Sequence, residues 1–123
     1  MYERILVGTD GSKTAAKAVD RAVEVAADTG AALTIFTAAK RAKGEAIVAA
    51  EQERHAGAGV TIDGKVVEAD AVTALIDEAA KGTYDLLVMG NKGMTGLSRF
   101  FTGSVPGKVS HHIPCSLLIV KTT

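Results

Sequence analysis

Short, nearly continuous apolar runs alternate along this chain with longer stretches in which apolar residues recur every three or four positions. The first pattern suits strands buried on both faces, the second helices with one buried side. Arg4-Ile5-Leu6-Val7-Gly8 opens the series and breaks at Thr9-Asp10-Gly11-Ser12, which predicts a strand leaving its sheet through a tight turn. From Ser12, a plausible N-cap, Ala15, Ala18, Val19, Ala22 and Ala26 share one helical face, opposite Lys13, Lys17, Asp20, Glu24 and Asp28. Gly30 stands where a helix C-cap is expected.

The alternation continues. Ala32 to Thr37 predicts a second strand, Lys40 to Lys43 a charged turn, and the alanine-rich stretch from about Glu45 to Ala56 a short helix. Val60 to Glu68 predicts a third strand. Asp63-Gly64 in its middle is also a hairpin signal, but the arms would be too short to hold, so Gly64 is expected to form a bulge or bend. Asp70 caps a helix through Leu75 and Ala79 that closes at Gly82, and Tyr84 to Met89 makes a fourth strand. A glycine-rich loop from Gly90 to Gly103 leads to a helix from Ser104 to His112, with Pro106 in its first turn, and Ser116 to Val120 is the last strand. Strict β-α alternation with apolar strands predicts an α/β protein: one doubly wound, five-stranded parallel sheet in the order 3-2-1-4-5, with helices on both faces. No repeat, low-complexity tract or linker divides the 123 residues.

Composition narrows the function classes. Fourteen basic residues balance fourteen acidic ones, which argues against a general nucleic-acid binder or a polybasic membrane anchor. With Cys115 as the single cysteine, no intrachain disulfide can form, which fits a reducing cytoplasm. The opening residues lack a signal-peptide apolar core, and no apolar run nears the ~20 residues of a spanning helix, so a cytoplasmic location is expected. Charge is unevenly spread, however: no acidic residue follows Asp85, while Lys92, Arg99, Lys108 and Lys121 do.

Ligands of doubly wound sheets bind beyond the carboxyl ends of the strands, where the winding direction reverses. The loops there are Gly8-Thr9-Asp10-Gly11-Ser12, with one carboxylate and two hydroxyls, and the long stretch from Gly90 to Ser104. Its glycines allow close backbone approach and an anion nest, and the helix beginning near Ser104 directs its positive end to the same place, so a phosphate is the expected guest. Two familiar phosphate loops fail. Gly103-Ser-Val-Pro-Gly107-Lys108-Val109 is one residue short between its glycines for a Walker A loop and ends in valine, and no G-x-G-x-x-G follows the first strand.

Gly90-x2-Gly93-x9-Gly103-Ser104, with Met89 before it and Val105-Pro106 after it, resembles the nucleotide-binding branch of the universal stress protein family. The similarity spans residues 1–123 as one domain, including the opening Ile5 to Ser12 and the closing His112 to Val120. It implies a stress-response regulator that binds ATP, AMP or cyclic AMP, with Mg²⁺ accompanying ATP. By the same resemblance, Gly90, Gly93, Gly103, Ser104 and Val105 would hold the phosphates. Gly8, Thr9 and Asp10 would border adenine and ribose, Met89 would line the base pocket, and backbone within a residue of Thr37 would read the adenine edge. The family also implies a homodimer through Ser116 to Val120. This chain is shorter than many relatives around Arg41 to Gly59.

Plainer roles stand beside these. Asp10 is a ligand contact, the N-cap of the first helix, or both, since Ser12 competes for the cap. Lys92 and Arg99 are expected to be solvated, and Phe100-Phe101 to anchor the loop. Adjacent His111-His112 with Cys115 lack ligand-cluster geometry, and Cys115 is expected at the core edge. A phosphate nest with one carboxylate supplies recognition without an evident general base, so binding is expected rather than catalysis. The alternatives are a slow ATPase or self-phosphorylating enzyme using Asp10, or a dimeric scaffold with an empty pocket.

Overall fold

The computed structural model of the chain describes residues 2–91 and 113–122. Strands β1 (Arg4–Gly8), β2 (Ala32–Ala38), β3 (Ile62–Val67), β4 (Leu86–Gly90) and β5 (Ser116–Val120) alternate with helices α1 (Lys13–Thr29), α2 (Arg41–Arg54) and α3 (Ala71–Lys81). A single 3-10 turn, Ala56–Ala58, follows α2. All five strands are parallel, in the order β3-β2-β1-β4-β5. The expected helix from Ser104 to His112 lies outside the described residues.

The strands are apolar because both faces are covered. Ile5, Val7, Leu33, Ile35 and Val88 pack beneath Ala18, Val19, Ala22 and Ala26 of α1 and Val48 of α2. Their alternate neighbours Leu6, Phe36, Leu87 and Met89 pack against Val72, Leu75 and Ala79 of α3. The two-residue period of a strand thus divides one apolar run between two layers. Small alanines on α1 let that helix lie close over the central strands.

Local signals at the helix ends agree with the sequence. Ser12 Oγ accepts from Ala15 N at 3.1 Å, and Gly30 adopts φ 75°. Asp70 Oδ2 accepts from Thr73 N at 3.1 Å. Two expectations are corrected. First, α2 begins at Arg41, so the charged segment expected as a turn is its first turn. Lys and Arg are good helix formers, and no side chain caps this end, so the sequence carried no start signal there. Second, Gly64 forms no bulge: it pairs in register with Ile35. Its lack of a side chain serves the approach of α2 instead, since a Cβ there would stand 2.1 Å from Val48 Cγ1. Reciprocally, a Cβ on Gly44 of α2 would stand 2.3 Å from Val66 Cγ1 of β3. Helix and edge strand interlock through two glycine-valine pairs.

Strand β4 begins at Leu86, two residues later than expected, although Asp85 N still donates to Arg4 O at 2.9 Å and Asp85 O accepts from Ser116 N at 3.2 Å. The Asp85 carboxylate accepts from Glu3 N at 2.8 Å and Arg4 N at 3.2 Å, anchoring the start of β1. The Tyr84 hydroxyl donates to Glu78 Oε2 at 2.8 Å, and Lys65 Nζ lies 2.9 Å from Glu78 Oε1, tying α3 to β3. Burial alone would raise the Glu78 carboxyl, but hydrogen bonds from Lys65 and Tyr84 and the charges of Lys65 and Lys81 hold it below its ordinary value.

Candidate functional site

The sheet's winding reverses between β1 and β4, so the crevice opens at their carboxyl ends. Beyond Gly8, Thr9 is fully buried and its N–H donates to Phe36 O at 2.9 Å. Thr9 Oγ1 accepts from Gly11 N at 3.1 Å and Asp10 Oδ1 from Ser12 N at 2.9 Å, which fold the turn tightly. Gly11 turns the chain at φ 82°, a conformation L side chains rarely adopt. Because Ser12 is the N-cap, the capping role considered for Asp10 does not apply. Asp10 is half-buried, with Oδ1 spent on the turn.

Strand β2 supplies the neighbouring wall. Leu33 N donates to Thr61 O and Ala39 N to Val67 O, so odd-numbered peptide groups face β3. Phe36 O accepts from Thr9 N, so even-numbered ones face β1. The β1 pairing ends at Gly8–Phe36, and the peptide groups of Ala38 therefore face the turn carrying Asp10, past the last strand-to-strand bond. A cavity of about 270 Å³ lies here, lined by Asp10, Thr37, Ala38, Ala39, Lys43, Ile47 and Ala71. It is slightly below the ~300–1,000 Å³ of whole ligand pockets, a size suited to one end of a nucleotide. Thr37 is fully buried, and among the described residues its Oγ1 has no hydrogen-bond partner.

On the other side of β1, Met89 is 2% exposed and belongs to the core beneath α3, with half-buried Gly90 ending β4. Val7 pairs with Val88, so continuing the register sets Gly8 beside Met89. Asn91 Oδ1 then accepts from both N and Oγ1 of Thr122 at 2.9 Å, and Lys17 Nζ reaches Thr122 O at 3.1 Å. These bonds clamp the outgoing ends of β4 and β5 to each other and to α1.

The structure thus brings Asp10 to the same cavity as Thr37, and sets Gly8 and Thr9 in the turn beside it. Gly93, Gly103, Ser104 and Val105 lie outside the described residues, as do Lys92, Arg99, Phe100, Phe101, His111 and His112. Cys115 is half-buried at the edge of the α3-side core, where burial first, and the charge of Asp85 second, push its thiol upward. Among the described residues no group of three His, Cys, Asp or Glu is placed to hold a metal ion. Sequence reasoning missed Lys43 and Ile47, which wall the cavity from α2. The available signal was the cluster Lys40-Arg41-Lys43, misread as a turn.

The model of the universal stress protein family matches residues 1–50 and 37–121. The chain belongs to this family. It is 33% identical to the universal stress protein Rv1636 of Mycobacterium tuberculosis, over 99% of this chain and 98% of the relative. The Bacillus subtilis universal stress protein YxiE is 27% identical over 98% of this chain and 100% of its own length. A crystal structure of a universal stress protein in complex with cAMP superposes with a TM-score of 0.81 at 38% identity, covering 99% of this chain and 98% of that one. The alignment to Rv1636 spans 144 positions against 123 residues here, so this chain is the shorter of the two. The two family matches overlap at 37–50, around the junction of β2 and α2.

Proposed function

We propose that this stress protein binds an adenine nucleotide at the carboxyl ends of β1, β2 and β4 and acts by a ligand-dependent change of conformation. The observation that carries this reading is the cavity shared by the Asp10 carboxylate and the peptide groups of Ala38. A peptide group offers one donor and one acceptor side by side, which matches the N1 acceptor and 6-amino donor of adenine. Ala38, one residue from the position expected at Thr37, is therefore the base reader in this proposal. Asp10 accepts from a ribose hydroxyl, Gly8 and Thr9 border the sugar, and Met89 backs the site. The phosphates fall to Gly90, Gly93, Gly103, Ser104 and Val105, on the glycine spacing of the sequence.

The relative solved with cyclic AMP, at 38% identity, supports an adenylate and makes cyclic AMP the first ligand to try. ATP fits the glycine spacing, and a single carboxylate beside phosphate oxygens suits Mg²⁺ with it. Among the described residues Asp10 is the one carboxylate lining the cavity, which favours binding over turnover. Homodimerisation through β5 is proposed with it: β5 is an edge strand, and Ile119, 42% exposed, is the exposed large hydrophobic side chain among the described residues. Among the described residues no helix is long and apolar enough to cross a membrane, and a cytoplasmic location is proposed.

Calorimetric titration with cyclic AMP, AMP and Mg-ATP tests the site. Asp10→Ala, which removes a charged acceptor, is expected to weaken the preferred ligand by about ten- to a hundredfold. Unchanged affinity would remove Asp10 from the site, and steady phosphate release from ATP that Asp10→Ala abolishes would replace binding with catalysis.

A further inference from the structure

Helix α2 has two large apolar side chains, Ile47 and Val48, and the core accounts for one of them. Val48 is buried in the layer shared with α1 and fills the space over Gly64. Ile47 is half-buried and, among the described residues, stands apart from both core layers. It lies instead over the turn that carries Asp10: a Cβ on Gly11 would stand 2.9 Å from Ile47 Cγ1 and 3.0 Å from its Cδ1. From there Ile47 lines the same cavity as Asp10. A β-branched side chain on a helix is held near one χ1 rotamer, so this apolar wall is set before a ligand arrives.

The cavity has a second apolar wall. Ala71, the first residue of α3, lines it from the other side of the sheet, since α1 and α2 cover one face and α3 the opposite one. The hydrogen bonds of a strand run close to the plane of its sheet. A flat base bonded edge-on to the peptide group of Ala38 therefore lies near that plane, with one face turned to α2 and the other to α3. Ile47 and Ala71 are the apolar groups that those two helices present to the cavity. The polar atoms of a purine all lie at its edge, and its faces gain from leaving water for apolar surface.

Resting on the nucleotide reading above, we propose that Ile47 and Ala71 are binding residues that enclose the two faces of the adenine ring, with Ile47 the larger contact. The edge bonds at Ala38 choose the base by its pattern of donors and acceptors, and this pair adds affinity through the apolar area it buries. Because Ile47 also rests on Gly11, covering the base and steadying the turn of Asp10 fall to the same side chain.

Methyl NMR of the isoleucine-labelled chain, titrated with cyclic AMP, AMP and Mg-ATP, tests the proposal without altering the site. Ile47→Val, which lacks the δ1 methyl, identifies the resonance. Each nucleotide that binds is expected to move the Ile47 δ1 methyl upfield, because a methyl over the face of an aromatic ring is shielded by it. In calorimetry, Ile47→Ala is expected to bind the same nucleotide about tenfold more weakly and with a less negative heat-capacity change, since less apolar surface is buried. Alanine, the best helix former, preserves α2 in that variant. Ala71→Leu, which extends into the space of the base while keeping a good helix former in α3, is expected to bind at least about tenfold more weakly. A nucleotide that binds wild type without moving the methyl overturns the inference and leaves the nucleotide reading standing, as does unchanged affinity and heat capacity in Ile47→Ala. Unchanged affinity in Ala71→Leu overturns the assignment of the second face. Wild type that binds none of the three nucleotides overturns the nucleotide reading itself, and this inference with it.

Discussion

At the scale of single residues, buried polar groups separate structure from function. Glu78 is 6% exposed and fully engaged: Lys65 and Tyr84 occupy its two oxygens, and nothing in that arrangement asks for a ligand. Its carboxyl is held below the usual range, so the native state favours the charged form. The stability this contributes is complete above the unfolded glutamate value of about 4.3 and is lost as pH falls through the lower, folded value. Melting followed by circular dichroism is expected to show wild type losing stability as pH drops below about 4.3, with a shallower loss in Glu78→Gln. Parallel curves would show that another carboxylate controls acid unfolding. Thr37 is the opposite case: it is fully buried, and among the described residues its hydroxyl has no hydrogen-bond partner.

At the scale of elements, the pairing of α2 with β3 sets the geometry of the α2 wall. Gly44 and Gly64 face Val66 and Val48, and the helix lies close to the strand only because neither glycine has a side chain. Gly64→Ala is expected to cost about 1–3 kcal/mol in denaturant unfolding, the usual penalty for overpacking a stiff neighbour. Combined with Val48→Ala, the loss is expected to be smaller than the sum of the two single changes, since the second makes room for the first. Additive losses would mean that the strand and helix do not interlock.

The same pair of elements marks where the sequence stopped being informative. Every strand and the caps at Ser12, Gly30 and Asp70 follow from periodicity and local chemistry, which act within a few residues. The start of α2 was hidden because Lys40 is a poor cap, and the glycine in β3 was misassigned because its reason lies on a helix about sixteen residues away in the chain. The place of Asp10 in the turn after the first strand was legible. The weighing of Asp10 against Ser12 as cap needed the observed bond to Ala15, and the proposal of Ala38 rather than Thr37 as base reader rests on the hydrogen-bond parity of β2. Lys43 could not be found without knowing that α2 folds back over the end of β2.

At the scale of the whole molecule, one sheet carries two proposed tasks. Its reversal point and the ends of β1, β2 and β4 form the proposed ligand crevice, while β5 leaves an edge with Ile119 exposed on it. The clamp of Asn91, Thr122 and Lys17 joins the two, because it fastens the end of β4, from which the glycine-rich loop departs, to the end of β5. A ligand that shifts the outgoing end of β4 is thereby coupled mechanically to the edge proposed for dimerisation. Native mass spectrometry of the protein with saturating cyclic AMP reads both properties at once. The expected spectrum is a dimer of the 12.6 kDa chain carrying one adenylate per chain, with the adenylate lost in Asp10→Ala. A spectrum with no adenylate bound to the wild-type chain, for cyclic AMP, AMP and Mg-ATP alike, would contradict the nucleotide site.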